Sequence, residues 1–397
     1  MLRLRAGLGI FLCLVFYGFP TAGSAVRIGE INPLTGKLAE HGGDIHQGIL
    51  YAVEEVNARG GISGEPVELV SRDDQSLPEV AVNQAEELLY RAGVIGLVGG
   101  YVDSLVGPIS ELAAKHRVPY VAAASLQRSL TQRRRNPFFF RVSQLGGIVQ
   151  PLCDFVLESV RPKQVAILYA ATPGSSEFGE DVKSRLEKKG VQVSLYEKFR
   201  PGSPDFSSLL LKIQEYQPDL LISGGFFPDH IVLIRQARER HVPLRSYLGP
   251  WGIAHPTLIR EMGNMSENLL GMCAWNPGIT LPGTERESTA FVESFVHRFR
   301  KVPNSTVMHG YTSARALLAA IQRASEKGVT LTGGAVSEEL RTLELMLPME
   351  RLAFDENGDP KYYQQVIVQI QEGQMVSVFP PGRAVASIRF PGITGIK

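Results

Sequence analysis

Two short polar turns hold the residues best suited to binding chemistry. Asp103-Ser104 stands between an expected strand over 94–98 and an expected helix over 104–116, and Ala124-Ser125 follows the next strand, over 118–122. Turns at the carboxyl ends of parallel strands are where open α/β sheets meet ligands. A helix N-terminus there carries about half a positive charge and favours an anion. Ser104 also suits the role of a helix N-cap, and capping would still allow ligand contact. Catalytic patterns are missing: the chain has no G-x-S-x-G elbow, no Walker loop, no G-x-G-x-x-G after a strand and no H-E-x-x-H. His41 and His46, with two glycines between them, make a poor metal clip, and no C-x-x-C pair is present. These turns therefore point to binding, with no enzymatic activity, no cofactor and no metal expected.

The elements that position the turns begin behind a leader. Arg3 and Arg5 precede an apolar run over 8–19 and a small-residue segment, Ala22-Gly23-Ser24-Ala25, which reads as a secretory signal cleaved near Ala25. Cys13, preceded by Leu12, belongs to the leader's apolar core and not to a lipoprotein signal. The chain carries 41 basic and 40 acidic residues, and the leader takes two of the basic ones. A mature charge near zero gives no reason to expect nucleic acid or an anionic membrane as partner. Cys153 and Cys273 survive cleavage, and export permits a bond between them without showing that they meet.

Beyond the leader, strands and helices alternate. A strand opens at Val26-Arg27-Ile28-Gly29, and Ile45, Ile49, Val53 and Val56 give the helix over 44–57 one apolar stripe. Further strands fall over 67–71, 94–98 and 118–122, with helices over 78–91 and 104–116. The pattern restarts after an extended Phe138-Phe139-Phe140-Arg141, with strands over 165–169, 191–195, 220–223, 245–248 and 269–274. Helices over 177–189, 206–216 and 229–241 alternate with them; two more, over 291–300 and 308–324, precede a hairpin over 366–379. Strands alternating with helices of about 10–15 residues imply parallel sheets covered on both faces. A mature chain of about 370 residues exceeds one compact core. The expectation is an α/β protein of two lobes with a cleft between them. Arg133-Arg134-Arg135 reads as a solvated loop, and the last 18 residues as an extended tail.

Pro33-Leu34-Thr35-Gly36, Asn57-Ala58-Arg59-Gly60-Gly61-Ile62, Asp73-Asp74, Gly224-Gly225-Phe226-Phe227-Pro228, Arg235-Gln236-Ala237-Arg238 and Leu248-Gly249-Pro250 follow one another in a telling order. Through them, over nearly the whole mature chain, the sequence resembles the periplasmic leucine/isoleucine/valine-binding family, the type I solute-binding components of ABC importers. The resemblance implies two Rossmann-like lobes with parallel sheets, joined by a three-crossing hinge. It divides them into an N-lobe of 26–142 plus 276–352 and a C-lobe of 143–275 plus 353–397.

The resemblance also implies a site. Asp103 falls on the family's carboxylate-binding serine, with Ser104 one place later. Ala124 and Ser125 face the same anion, and Leu126 stands where the family has a threonine, so Ser125 is placed to supply that hydroxyl from one position earlier. In the C-lobe, Phe178 and either Phe226 or Phe227 replace tyrosines, and His41 occupies the place of a tyrosine at the pocket edge. Trp251 stands where leucine-type binders carry the glutamate that holds the ammonium.

An indole in place of that acid matters, because an unpartnered buried ammonium costs several kcal/mol. Such a site binds a ligand without an ammonium, faces a quaternary cation with its rings, or recruits another acid such as Asp103, Glu177 or Asp229. The first is the favoured reading. The expected protein is a periplasmic, monomeric solute carrier serving an inner-membrane ABC permease. Ser104 and Ser125 would hold the anion of a small hydrophobic or aromatic carboxylate or a hydrophobic amino acid, and Phe178, Phe226 and Trp251 would wall its apolar part. The competing expectation is a ligand sensor that reports to a membrane receptor.

Overall fold

The computed structural model describes residues 25–132, 136–242 and 245–390. The leader, the Arg133-Arg134-Arg135 loop and the end of the tail lie outside the described residues. The first half runs β1 (Val26–Asn32), α1 (Ala39–Ala58), β2 (Val67–Asp73), α2 (Pro78–Tyr90), β3 (Leu97–Tyr101), α3 (Asp103–His116), β4 (Tyr120–Ala124) and β5 (Phe139–Arg141). There follow α4 (Gly146–Phe155), β6 (Gln164–Ala170), α5 (Pro173–Lys188), β7 (Gln192–Phe199), α6 (Ser207–Tyr216), β8 (Leu220–Gly224), α7 (Phe227–Glu239), β9 (Ser246–Gly249), α8 (Pro256–Met262) and β10 (Leu270–Cys273). The chain closes with α9 (Glu285–Phe299), α10 (Ser305–Glu326), α11 (Gly333–Arg341), β11 (Glu344–Met346), β12 (Arg351–Ala353), β13 (Val366–Gln371) and β14 (Gln374–Phe379).

Two sheets organise these elements. The first has the order β2-β1-β3-β4-β5 with every pair parallel; the second has the order β14-β13-β10-β9-β8-β6-β7, antiparallel only at β13 and β14. Alternation along each strand feeds a core on either face. Val121 and Ala123 pack with α1 and α10, whereas Tyr120 and Ala122 pack with α2 and α3. In the second sheet, Val165 and Ile167 face one core and Ala166 and Leu168 the other. Each fully buried Val, Leu or Ile contributes about 1.5–3 kcal/mol.

The chain passes between the sheets three times, after β5, after β10 and after β12. The crossings let α10 return to the first sheet and lie across α1. Gly48 and Gly310 permit that approach, since a Cβ at Gly48 would collide with the carbonyl of Val307 and one at Gly310 with that of Ile45. The crossing sets the first turn of α10 beside the start of α1.

The third strand departs from the expected span of 94–98. It lies at Leu97–Tyr101 and includes Gly99 and Gly100, which have φ of 95° and 89°. Glycines with positive φ carry no strand signal in a sequence. Here Asn32 Oδ1 accepts from the Gly100 N–H at 2.8 Å and holds the strand end. Helices α4, α8 and α11 also lie where the sequence suggested none; in α4, Gly146-Gly147 and the internal Pro151 obscure the helical pattern. Cys153 and Cys273 are both buried free thiols, and burial pushes each up to about 12.

Candidate solute-binding site

A cavity of about 130 Å³ lies between the two sheets, at the carboxyl ends of their parallel strands. Residues from the first sheet's side reach it from four places. Tyr101 ends β3 with Val102 and Asp103 next, Ala124 ends β4 with Ser125 next, His41 projects from α1, and Ser305 and His309 come from the first turns of α10. From the other side come Thr172 to Ser175 at the start of α5, Phe226 before α7, and Trp251 after β9. Tyr363 and Gln365, in the third crossing, complete the wall.

Asp103 opens α3, and Val102 before it has a φ of 66°. For a β-branched residue that conformation costs about 1–3 kcal/mol. The turn it makes aims the Asp103 carboxylate at the loop after β4. Asp103 Oδ1 accepts hydrogen bonds from Ser125 Oγ at 3.0 Å, Leu126 N at 2.8 Å and Gln127 N at 2.8 Å. Arg141 grips the same loop from behind, donating to the carbonyls of Ser125 and Gln127 while its Nε meets Asp359 at 2.6 Å. Ser143 Oγ completes the brace, accepting from the Ser125 N–H at 3.2 Å.

His41 stacks on Tyr101 with ring centroids 4.6 Å apart and meets His255 edge-on at 5.5 Å. Among the described residues neither of its ring nitrogens has a partner. Burial, helped by the neighbouring His255, drops its imidazole to about 3 and keeps it neutral. His309 is likewise neutral, burial lowering it to about 4; its Nδ1 donates to the Ser305 carbonyl at 2.7 Å. Tyr363 Oη joins His309 Nε2 at 3.2 Å and accepts from Gln365 Nε2 at 2.7 Å, leaving Gln365 Oε1 unpaired.

The opposite wall is made of rings. Trp251 packs its indole against the edge of Phe178 at 5.0 Å, and Phe226 reaches across to Tyr101 at 6.4 Å. His230 fixes the Trp251 loop from below by donating Nε2–H to the Trp251 carbonyl at 2.8 Å, while its Nδ1 accepts from Tyr247 Oη at 2.6 Å. The Trp251 N–H finds no partner among the described residues. Buried polar atoms are ordinarily hydrogen-bonded. The cluster of unpaired atoms on His41, Trp251, Ser305 and Gln365 around one small space thus suits a polar group from outside the chain.

The lobes stand closed over this space. His255 at the start of α8 meets Asp44 of α1 at 3.1 Å, and Thr257 Oγ1 donates to Glu40 at 2.9 Å. Asn304 Nδ2 and Lys301 also reach Asp44. On the far side Arg128 N donates to Glu177 of α5 at 3.0 Å, and the Arg128 side chain pairs with Asp181. At the start of α5, Gly174 leaves room for the carboxylate opposite: a Cβ there would collide with Asp103 Oδ2.

The structure thus brings His41, Asp103, Ala124, Ser125, Phe226 and Trp251 to one cavity. Ser104 and Phe178 lie elsewhere. Ser104 lines a separate cleft beside Lys37 and Asp229, because the turn at Val102 points Asp103 inward and the next side chain away. Phe178 is fully buried behind the indole, one layer back from the cavity. The pairing of Ser104 with Ser125 as an anion clamp is therefore not assembled, and the Ser125 hydroxyl is committed to Asp103. Of the three acids considered as replacements, Glu177 accepts from Arg128 N and Asp229 from Gly202 N and Phe226 N, and only Asp103 lines the cavity. Tyr101, His255, Tyr363 and Gln365 were missed. A helix start was legible in Thr172-Pro173 beside the cavity, whereas the irregular third crossing carries no periodic signal. Among the described residues no cluster of three His, Cys, Asp or Glu is placed to hold a metal ion.

Fold and cavity define a two-lobed clamp that encloses a small solute. The family model for periplasmic binding proteins matches residues 25–374, and the chain belongs to that family. It is similar to the leucine-, isoleucine-, valine-, threonine- and alanine-binding protein of Pseudomonas aeruginosa, with 26% identity over 89% of this chain and 93% of the relative. The crystal structure of a leucine-binding protein from Thermotoga maritima superposes with a TM-score of 0.80 at 26% identity, covering 90% of this chain and 99% of that one. An ABC-transporter solute-binding protein from R. palustris, crystallised with benzoate, shares the fold with a TM-score of 0.81 at 17% identity, over 92% and 98% of the two chains. Membership of the family places the protein outside the cytoplasm, and among the described residues no helix is long and apolar enough to cross a membrane.

Proposed function

We propose that this chain is the solute-binding component of an ABC importer, a monomeric carrier without enzymatic activity that is released into the periplasm by cleavage near Ala25. Its lobes, 26–142 plus 276–352 and 143–275 plus 353–397, close over the solute and present the closed form to an inner-membrane permease. The observation that carries this reading is the cavity of about 130 Å³ between the lobes with unpaired buried polar atoms on both walls. An apolar cavity of about 150 Å³ holds one benzene molecule. The solute is therefore compact, a branched aliphatic chain or a single ring with a polar head, as in a hydrophobic amino acid or an aromatic acid.

Closure is a population shift, and solute favours the closed state only as far as it binds that state better. A micromolar carrier gains about 8 kcal/mol on binding. A thermal-shift screen of the mature chain against hydrophobic amino acids and aromatic acids tests the reading. At about 100 times Kd a true solute adds about 2.7 kcal/mol of stability. A panel that leaves the melting temperature unmoved throughout would remove this class of solute.

A further inference from the structure

Every formal charge on the cavity wall can be accounted for. Among the described residues no Lys or Arg lines it. Arg141, behind the Ser125 loop, is 1% exposed and spends its guanidinium on Asp359, Thr131 and two carbonyls. Burial keeps His41 and His309 neutral. His255 accepts the Thr257 N–H on Nδ1 at 3.2 Å and turns Nε2 to the Asp44 carboxylate at 3.1 Å, which spends that nitrogen within the wall. The Asp103 carboxylate is what remains.

That carboxylate occupies a particular place. A hydroxyl and two consecutive backbone N–H groups converge on one point after β4, the arrangement that suits a carboxylate oxygen. The protein fills the point with its own Asp103 Oδ1. Among the described residues Oδ2 accepts no hydrogen bond; it lies against Gly174, and Asp103 lines the cavity beside it. A solute carboxylate approaching this wall meets a like charge and donors already in use. Its alternative is the start of α10, where Ser305 has an unpaired hydroxyl and the helix end is positive.

We infer that Asp103 is a specificity-determining residue: the cavity takes solutes that bring an ammonium or another hydrogen-bond donor to the β3–β4 wall and discriminates against solutes whose only head group is a carboxylate. This rests on the small-solute reading above and sharpens it, favouring amino acids and amines over simple acids. An amino acid fits with its ammonium at Asp103 Oδ2 and its carboxylate toward the start of α10.

Calorimetric titration of the mature protein with three probes on one skeleton tests it: leucine, its decarboxylated counterpart 3-methylbutylamine and its deaminated counterpart 4-methylpentanoate. The wild type is expected to bind leucine and the amine, with the acid weaker than the amine by at least about tenfold. Asp103→Ser should reverse that order by freeing the loop's donors. Asp103→Asn keeps an oxygen for Leu126 N and Gln127 N, and so the fold, and should lose about tenfold in amine affinity. An acid that matches the amine on the wild type, or an unchanged ratio in Asp103→Asn with native circular dichroism, would overturn the inference. Silence from all three probes would also overturn it, whereas the proposed function falls only if the wider solute panel is silent as well.

Discussion

The two walls of the cavity are built on opposite plans. On the side of the first sheet, the turns after β3 and β4 are tied down: Asp103 takes three donors, Arg141 grips the loop carrying two of them, and Ser143 braces it. On the side of the second sheet, two rings, Phe226 and Trp251, face the cavity, Phe178 backs the indole, and the Trp251 N–H is unpaired among the described residues. The first wall sets charge, because its carboxylate is held where it cannot turn aside. The second sets shape, because ring packing is stiff but bears no formal charge. A carrier built this way can change the size of its solute at one wall without disturbing the charge preference set at the other.

The largest break in that division comes where the walls touch. Gly174→Ala places a methyl group against Asp103 Oδ2, a collision that exists only with the lobes closed. Overpacking of this kind costs about 1–3 kcal/mol, so solute affinity should fall by roughly 5- to 150-fold. Alanine is a good helix former, and the melting temperature of the solute-free protein should hold or rise. Calorimetry and thermal unfolding, run together, check both halves. Equal losses of stability and affinity would show that Gly174 serves the fold and not closure.

Acid should weaken both walls more gradually. Burial drops His41 to about 3 and His230 and His309 to about 4, from an ordinary value of 6.5. In the unfolded chain these rings take up protons near pH 6.5, so between there and pH 4 the unfolded state binds more protons than the folded one. Stability therefore falls as the pH drops through that window, by up to about 1.4 kcal/mol per pH unit for each ring. Asp44 acts lower. Burial alone would raise its carboxyl, but the hydrogen bond from His255 and the charge of Lys301 bring it down to about 2 from 3.8. Its contribution is present above pH 3.8 and is lost toward pH 2. Burial raises the carboxyls of Asp74, to about 6, and Glu350, and these gain stability as the pH falls, so melting temperatures from pH 7 to pH 4 should decline by less than the three rings alone would give; a rise would mean that the carboxyls outweigh the rings.

Much of this architecture was legible in the sequence. The apolar stripe of Ile45, Ile49 and Val53 and the repeated strand–helix alternation fixed the sheets, since burial of one face per element leaves a regular trace. The site was legible only in part. Asp103 and Ser125 sit in turns that announce themselves between periodic segments, and their roles still changed. The positive φ of Val102 rotates Asp103 into the cavity and Ser104 out of it, and nothing in a valine signals that conformation. Tyr101 was hidden because Gly99-Gly100 interrupts the strand that carries it. Tyr363 and Gln365 reach the cavity through an irregular crossing, and His255 through a helix of seven residues, too short to leave a pattern.

A crystal structure of the mature protein with the solute that raises its melting temperature most is the most direct test of a binding site shared between a charged wall and a ring wall. The account predicts the solute's donor group about 3 Å from Asp103 Oδ2 and its apolar body against Trp251 and Phe226. A solute that presents a carboxylate to the 125–127 loop with Asp103 swung away, or that lies beyond reach of the indole, would contradict it.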